Sequence, residues 1–305
     1  MTGPDNVTAD SPLALTRKVG DFTIHALDAG RLWLDGGAMF GVVPKPLWQK
    51  RIPADDRNRI PLQMRCLLVE TRDALVLIDN GVGNKEDAKF LDIYGISNTS
   101  ASGGTTRLED ALAAVGYKPS DVDIMIDTHL HFDHAGGNTV HDAEGVQRLA
   151  FPNARYIANR GEFEYAHWRN ERVQASYMTA NFDPVLEAGR LELVEYDHVV
   201  MPGISMAHTP GHTPHHHSII IESAGETACF LADLCPTSAH LPLPWIMGYD
   251  VEPLVTLESK RSLMARARAE EWLLVFEHDP VIPWGRLDPS NTKPELIPEA
   301  PSATA

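Results

Sequence analysis

Apolar residues in this chain cluster in short runs separated by polar or glycine-rich stretches, and nine of these runs have strand composition. They are FTIHAL (22–27), RCLLVET (65–71), ALVLID (74–79), VDIMID (122–127), ARYIAN (154–159), LELVEY (191–196), HSIIIES (217–223), ACFLAD (228–233) and WLLVFE (272–277). Their Val, Ile, Leu and aromatic content, together with their length, predicts β-strands. Helical patterns lie between them. Thr106 followed by Glu109 predicts a capping box, Leu108, Leu112 and Val115 form an apolar stripe, and Gly116 supplies the stop. A second helix is predicted over 251–270, with Asp250 as N-cap and Leu254, Leu257, Met264 and Ala267 on one face. A third, more polar helix is predicted over 160–178. Strand pairs mixed with strand–helix–strand units predict an α/β architecture in which helices cover sheets.

With 305 residues, 43% of them hydrophobic, the chain can bury one large core. The expected organisation is a polar, disordered arm at 1–14, a single domain at 15–290 and a Pro/Ala-rich flexible tail at 291–305. The 26 Lys and Arg against 42 Asp and Glu give a net charge of -16. That charge repels phosphate backbones and anionic lipid surfaces, so neither nucleic acid nor membrane is expected as a partner. No apolar run reaches the ~18 residues of a membrane helix. Cys66, Cys229 and Cys235 are odd in number and lack CxxC spacing, which predicts buried inert thiols in a cytoplasmic protein.

The chemistry is concentrated in THLHFDHAGG (128–137). His129 and His131, two apart at the end of a strand, point the same way and can share one cation, and Asp133 and His134 on the following turn can aim at a second. Neutral imidazoles with a carboxylate suit Zn²⁺ or another borderline divalent metal. Two sites need more donors. They are available as His212 in the Gly/Pro-bracketed loop HTPGHTPHHHS (208–218), Asp233 ending FLAD, and His278 in VFEHDP. His25, His141, His167, His198 and His208 are read as structural, and His215, His216 and His217 are left out of the ligand set. GVGN (81–84) lacks the GK[ST] ending of a phosphate loop and reads as the turn that carries Asp79.

HxHxDH, then TPGHT, then a strand-terminal Asp and a strand-terminal His resembles the metallo-β-lactamase superfamily of dinuclear hydrolases, over roughly residues 20–290. The resemblance implies a four-layer αββα sandwich and two divalent metal ions, Zn in the first place. It places His129, His131 and His212 on the first metal, Asp133, His134 and His278 on the second, Asp233 between them, and Asp79 behind the ligands as an orienting carboxylate. It implies hydrolysis by a metal-activated hydroxide, with Asp133 or Asp233 passing a proton to the leaving group and no serine or cysteine nucleophile.

Within the superfamily, the chain resembles the N-acyl-homoserine lactonase and methyl parathion hydrolase branch. Residues 36–64 match that branch's N-terminal extension over the active-site mouth. A small-molecule substrate is implied, most directly a lactone or carboxylic ester, with a phosphotriester as the alternative and an iron-dependent oxygenase on the same fold as a more distant one. The resemblance also implies a homodimer. The branch's lactonases carry a substrate-binding tyrosine three residues after the bridging aspartate; here that position is Pro236, and Tyr249 or Thr237 is the expected substitute. Phe40, Trp48, Trp168, Trp245 and Met247 are candidate walls for an apolar part of the substrate.

Overall fold

The computed structural model describes residues 12–291 and 294–300, so most of the arm and the last five residues of the tail lie outside the described part of the chain. Two seven-stranded sheets organise it. The first has the order β1 (Ala14–Val19), β2 (Phe22–Asp35), β3 (Arg59–Glu70), β4 (Leu75–Ile78), β5 (Ile124–Ile126), β8 (Arg155–Asn159), β9 (Leu191–Val194), with β6 (Thr139–His141) and β7 (Gln147–Leu149) as a separate hairpin. The second follows chain order: β10 (Val199–Met201), β11 (Ile204–His208), β12 (His217–Ser223), β13 (Glu226–Phe230), β14 (Leu273–Val275), β15 (Trp284–Leu287) and β16 (Leu296–Pro298). Pairing is parallel from β4 through β5 and β8 to β9, and again between β13 and β14.

Both faces of the central strands are buried, which is why they read as continuous apolar runs without polar alternation. Val76 and Ile78 of β4 belong to the core between the sheets, with Ile219, Ile221, Phe230 and Val275, whereas Leu75 and Leu77 belong to an outer core with Leu108 and Leu112 of the helix Arg107–Ala114. On the second sheet Ile220, Cys229 and Leu274 face outward and join Leu263, Met264 and Ala267 of the helix Pro253–Ala269. Burying each large apolar side chain contributes about 1.5–3 kcal/mol, so three such layers close a four-layer αββα sandwich. The three cysteines are free and buried. Among the described residues no helix is long and apolar enough to cross a membrane.

All nine expected runs contain strands. β1, β6, β7, β10, β11, β15 and β16 fall outside those runs because they are short or interrupted by polar residues. β16 falls inside the expected tail; it pairs with β15, and Glu299 beside it forms ion pairs with Arg17 and Arg286. Three helix expectations change. Over 160–178 only Arg160–His167 is helical, because Arg169 takes a positive φ of 50° and the Asn170 side chain accepts from the Arg172 N–H in a turn. Asp250 is not an N-cap: the last helix opens at Pro253 after Glu252. Its buried face runs through Thr256, Lys260, Leu263, Met264 and Ala267, leaving Leu254 76% exposed, because the Lys260 ammonium donates to the carbonyls of His240, Pro242 and Trp245. Thr106 is the N-cap of its helix without a side-chain bond, and Glu109 accepts from the N–H of Thr105.

Candidate metal centre

The carboxyl ends of the parallel strands deliver most of the site, as in open α/β sheets generally. Asp79 follows β4, residues 127–134 follow β5, Asp233 follows β13 and His278 follows β14. β5 ends at Ile126, so His129 and His131 stand in the irregular segment beyond the strand, and Asp133 and His134 lie on the one-turn helix Phe132–Ala135. Gly136 and Gly137 let the Asp79 turn close on this segment. A Cβ on Gly137 would come within 2.3 Å of the Asn80 carbonyl oxygen. The β11–β12 loop brings His212, and Gly211 before it has a φ of +131° with Thr256 packed against it. Asp79 and Ala232 hold positive φ values of 53° and 46°. Such conformations in non-glycine residues cost about 1–3 kcal/mol each and mark places where surrounding structure dictates the backbone.

All seven expected ligands converge, in two groups, and every one of them is buried. In the first, His131 Nδ1 stands 3.1 Å from both His129 Nε2 and His212 Nε2, and Asp233 Oδ2 lies 2.9 Å from His212 Nε2 and 3.8 Å from His129 Nε2. In the second, His134 Nε2 and His278 Nε2 are 3.2 Å apart, Asp133 lies 3.8 Å from each, and Asp233 Oδ1 is 3.1 Å from His278 Nε2. Four donors around a tetrahedral ion with bonds of ~2.05 Å are separated by about 3.3 Å, so the first group has the spacing a divalent cation requires. Facing ring nitrogens cannot satisfy one another when both offer lone pairs. The donor set therefore fits two cations, with Asp233 between the groups: Oδ2 lies nearest His212 and 3.5 Å from His134 Nε2, and Oδ1 faces His278.

Every imidazole but one is fixed from behind. His129 Nδ1 donates to Thr128 Oγ1 at 3.1 Å, and that hydroxyl donates to Asp79 at 2.7 Å. His134 Nδ1 lies between Asp79 and Glu277, at 3.1 and 3.0 Å. His212 Nδ1 donates to Asp250 at 3.0 Å and His278 Nδ1 to the Gln63 carbonyl at 2.8 Å. Such partners set which ring nitrogen keeps its proton and leave the other free to ligate. The exception is His131, whose Nε2 is buried without a hydrogen-bond partner while its ring packs on Tyr177 at 4.7 Å.

Electrostatics divide the histidines. Burial, then the neighbouring imidazoles, push His129 and His131 well below the ordinary imidazole value. Against burial, Asp233 and Asp250 lift His212 to about 10, Asp233 and Glu277 lift His278 to about 9, and Glu277, Asp133 and Asp233 hold His134 well above its usual range. Burial raises Asp233 as well, but the His212, His134 and His278 imidazoles hold it well below the usual carboxylate range. Burial pushes Glu277 up to about 8. The carboxylates thus attract cationic charge to the second group and to His212.

A cleft of about 380 Å³ opens above these groups. Its floor is His131, Asp133, His212, Asp233 and His278; Leu34, Ala38, Met39, Leu62 and Met247 supply apolar wall, and Tyr94 and Tyr249 add hydroxyls. Ala38, Met39 and Leu62 come from the 36–64 segment, so that segment lines the cleft. Of the five expected wall residues only Met247 lines the cleft. Phe40 and Trp48 are core residues stacked on each other, Trp245 packs beside them, and Trp168 is 65% exposed elsewhere. Thr237 spends its hydroxyl on His240, which leaves Tyr249 as the cleft hydroxyl between the two expected substitutes.

A family model described as the Metallo-beta-lactamase superfamily matches residues 59–278, a span that takes in all seven convergent residues. The chain belongs to the metallo-β-lactamase superfamily. It has that superfamily's fold and is a metallohydrolase of its dinuclear type. Among curated relatives, the N-acyl homoserine lactonase of Bacillus cereus is 31% identical over 232 residues, 73% of this chain and 83% of that protein. Among solved structures, a probable metal-dependent hydrolase from Staphylococcus aureus superposes with a TM-score of 0.83 at 33% identity, covering 93% of this chain and 99% of that one. An N-acyl homoserine lactone hydrolase solved with N-hexanoyl-L-homoserine at its catalytic metal centre has a TM-score of 0.61 at 27% identity, over 86% of this chain and 94% of that one.

Several other histidines make structural bonds. His25 bridges Thr16 and Glu70, His167 bonds Phe163 and Asp183, and His216 Nε2 accepts from the Asp233 N–H at 3.1 Å, bracing the ligand. Sequence reasoning missed Asp250, Glu277 and the Gln63 carbonyl as imidazole partners. Asp250 stood out only as a helix cap, and Glu277 could have been noticed as an acidic residue ending an otherwise apolar strand.

Proposed function

We propose that this chain opens the lactone ring of N-acyl-homoserine-lactone-like substrates, with two Zn²⁺ ions held by His129, His131 and His212, by Asp133, His134 and His278, and by Asp233 between them. The observation that carries the reading is the convergence of these seven residues beneath a cleft of about 380 Å³ with apolar walls, a size suited to one small acylated ligand. Relatives named for lactone hydrolysis support the substrate class. Bound there, two divalent cations supply Lewis acidity and bring the ionisation of water from about 15.7 toward neutrality.

The chain's own residues do the rest. Leu34, Met39, Leu62 and Met247 hold the acyl chain and exclude water from the floor. Asp133, at the cleft floor, carries the proton delivered to the leaving alkoxide as the ring C–O bond breaks. The Tyr249 hydroxyl, protonated at neutral pH as any phenol is, donates to the substrate carbonyl in place of the tyrosine that Pro236 replaces. Pro236 instead braces the site, its carbonyl accepting from the His278 N–H at 3.0 Å.

Pro236 also favours a second reading, a phosphotriesterase, because nothing at that position is dedicated to a lactone carbonyl. Rates on an N-acyl-homoserine lactone, an aryl ester and a phosphotriester, measured on one zinc-loaded preparation, separate the two. Lactone turnover dominates in the first reading; phosphotriester turnover without lactone opening establishes the second.

A further inference from the structure

Glu162 is a fully buried carboxylate with no cationic partner among its bonds, the kind of group that persists only when hydrogen bonds hold it. It lies in the first turn of the helix Arg160–His167, whose N-cap Asn159 accepts from the Glu162 N–H at 3.2 Å. Its Oε1 accepts from the Leu130 N–H at 3.1 Å and from the Tyr177 hydroxyl at 2.8 Å, and its Oε2 accepts from the Thr213 hydroxyl at 2.7 Å.

These partners sit at telling places. Leu130 separates His129 from His131, Thr213 follows His212, and the ring of Tyr177 packs on His131. One carboxylate is therefore tied to all three imidazoles of the first group, which come from two loops about eighty residues apart. None of its bonds reaches His134, Asp133 or His278. Side-chain bonds that order ligand loops typically change metal affinity by about 10–100-fold when removed.

We propose that Glu162 is a positioning residue for the three-histidine site, a strut that fixes the spacing of His129, His131 and His212 and leaves the other site unaffected. The inference rests on the assignment of those histidines as metal ligands. Burial raises the Glu162 carboxyl above its ordinary value, and the Thr213, Tyr177 and Leu130 donors act against that rise.

The test is zinc competition with a chromophoric chelator, resolving the two binding steps of the full chain. In Glu162→Ala one step weakens by about 10–100-fold while the other stays at its wild-type value. Glu162→Gln restores most of the loss, since its carbonyl oxygen can accept from Leu130 and Tyr177 and its amide can donate to the Thr213 hydroxyl. Thr213→Val, which removes one bond and adds no cavity, shifts the same step in the same direction by a smaller factor and keeps the question answerable if the alanine variant fails to fold. Equal weakening of both steps, unchanged affinity in both Glu162→Ala and Thr213→Val, or a glutamine variant no better than alanine overturns the strut. A wild-type chain that takes up no zinc overturns the ligand assignment beneath it.

Discussion

Asp250 joins the metal centre to the wall of the cleft, and replacing it tests that connection. Its Oδ1 accepts from His212 Nδ1 at 3.0 Å and its Oδ2 from the Met247 N–H at 3.2 Å, with the side chain buried. Met247 and Tyr249 line the cleft, and the Arg172 guanidinium clamps the Gly248 carbonyl between them at 2.8 Å. In Asp250→Ala both bonds vanish. A hydrogen bond to a charged group contributes about 1.5–3 kcal/mol. A 10–100-fold loss of metal affinity corresponds to about 1.4–2.8 kcal/mol, so the two estimates agree. The alanine variant is expected to lose one zinc ion about 10–100-fold more readily and to raise KM through the loosened Met247–Tyr249 segment. Asp250→Asn offers one carbonyl oxygen to two donors. Facing His212, that oxygen preserves the imidazole's orientation and leaves the Met247 N–H without its acceptor, so zinc affinity falls less than KM rises. Chelator competition and steady-state kinetics on the same preparations check both effects. Wild-type zinc affinity in Asp250→Ala, or equal weakening of both ions, would refute the reasoning.

Other outcomes follow from the same geometry. Tyr249→Phe should lower lactone kcat/KM by about 10-fold or more, with zinc content unchanged, as for loss of a donor to a developing oxyanion; unchanged kinetics would remove Tyr249 from the reaction. In the metal-free chain His212 and His278 hold protons up to about pH 10 and about pH 9, and ligation needs their Nε2 lone pairs. Zinc binding near pH 7.5 should therefore release protons, and apparent affinity should strengthen as pH rises toward those values and flatten above them. Titration calorimetry in buffers of different ionisation enthalpy measures the release, and proton-neutral uptake would contradict it. Lys260→Met should destabilise the fold by about 3 kcal/mol in denaturant titration, because the carbonyls of His240, Pro242 and Trp245 lose their shared donor.

The site was more legible in the sequence than the details of the fold. HxHxDH and TPGHT place five of the seven convergent residues by spacing alone, because a loop that must present an imidazole needs the adjacent Gly and Pro, and these are visible in sequence. Asp233 and His278 were legible as donors ending apolar runs, a signal weak for each alone that the resemblance to a known family strengthened. The central strands were readable because both faces are buried. Of the edge strands β9 was readable and β1 was not, since a residue such as Arg17 in β1 serves an ion pair and not a core. Helix edges failed where a polar residue's expected local role was overtaken by a distant partner. Asp250 reads as a cap in sequence and spends its carboxylate on His212; Lys260 shares the apolar face of its helix, where three carbonyls accept from its ammonium. The wall residues failed for a different reason: aromatic content in the 36–64 segment says that something is covered, and Phe40 and Trp48 cover the core, with the cleft left to smaller Ala38 and Met39.

The most direct test of the account is elemental analysis paired with lactone hydrolysis on the wild type and Asp233→Ala, because Asp233 faces both groups. The account predicts two zinc equivalents per wild-type chain with rapid ring opening, and loss of both tight binding and turnover in the variant. Full lactone turnover by a chain holding one metal or none, or by Asp233→Ala, would contradict it.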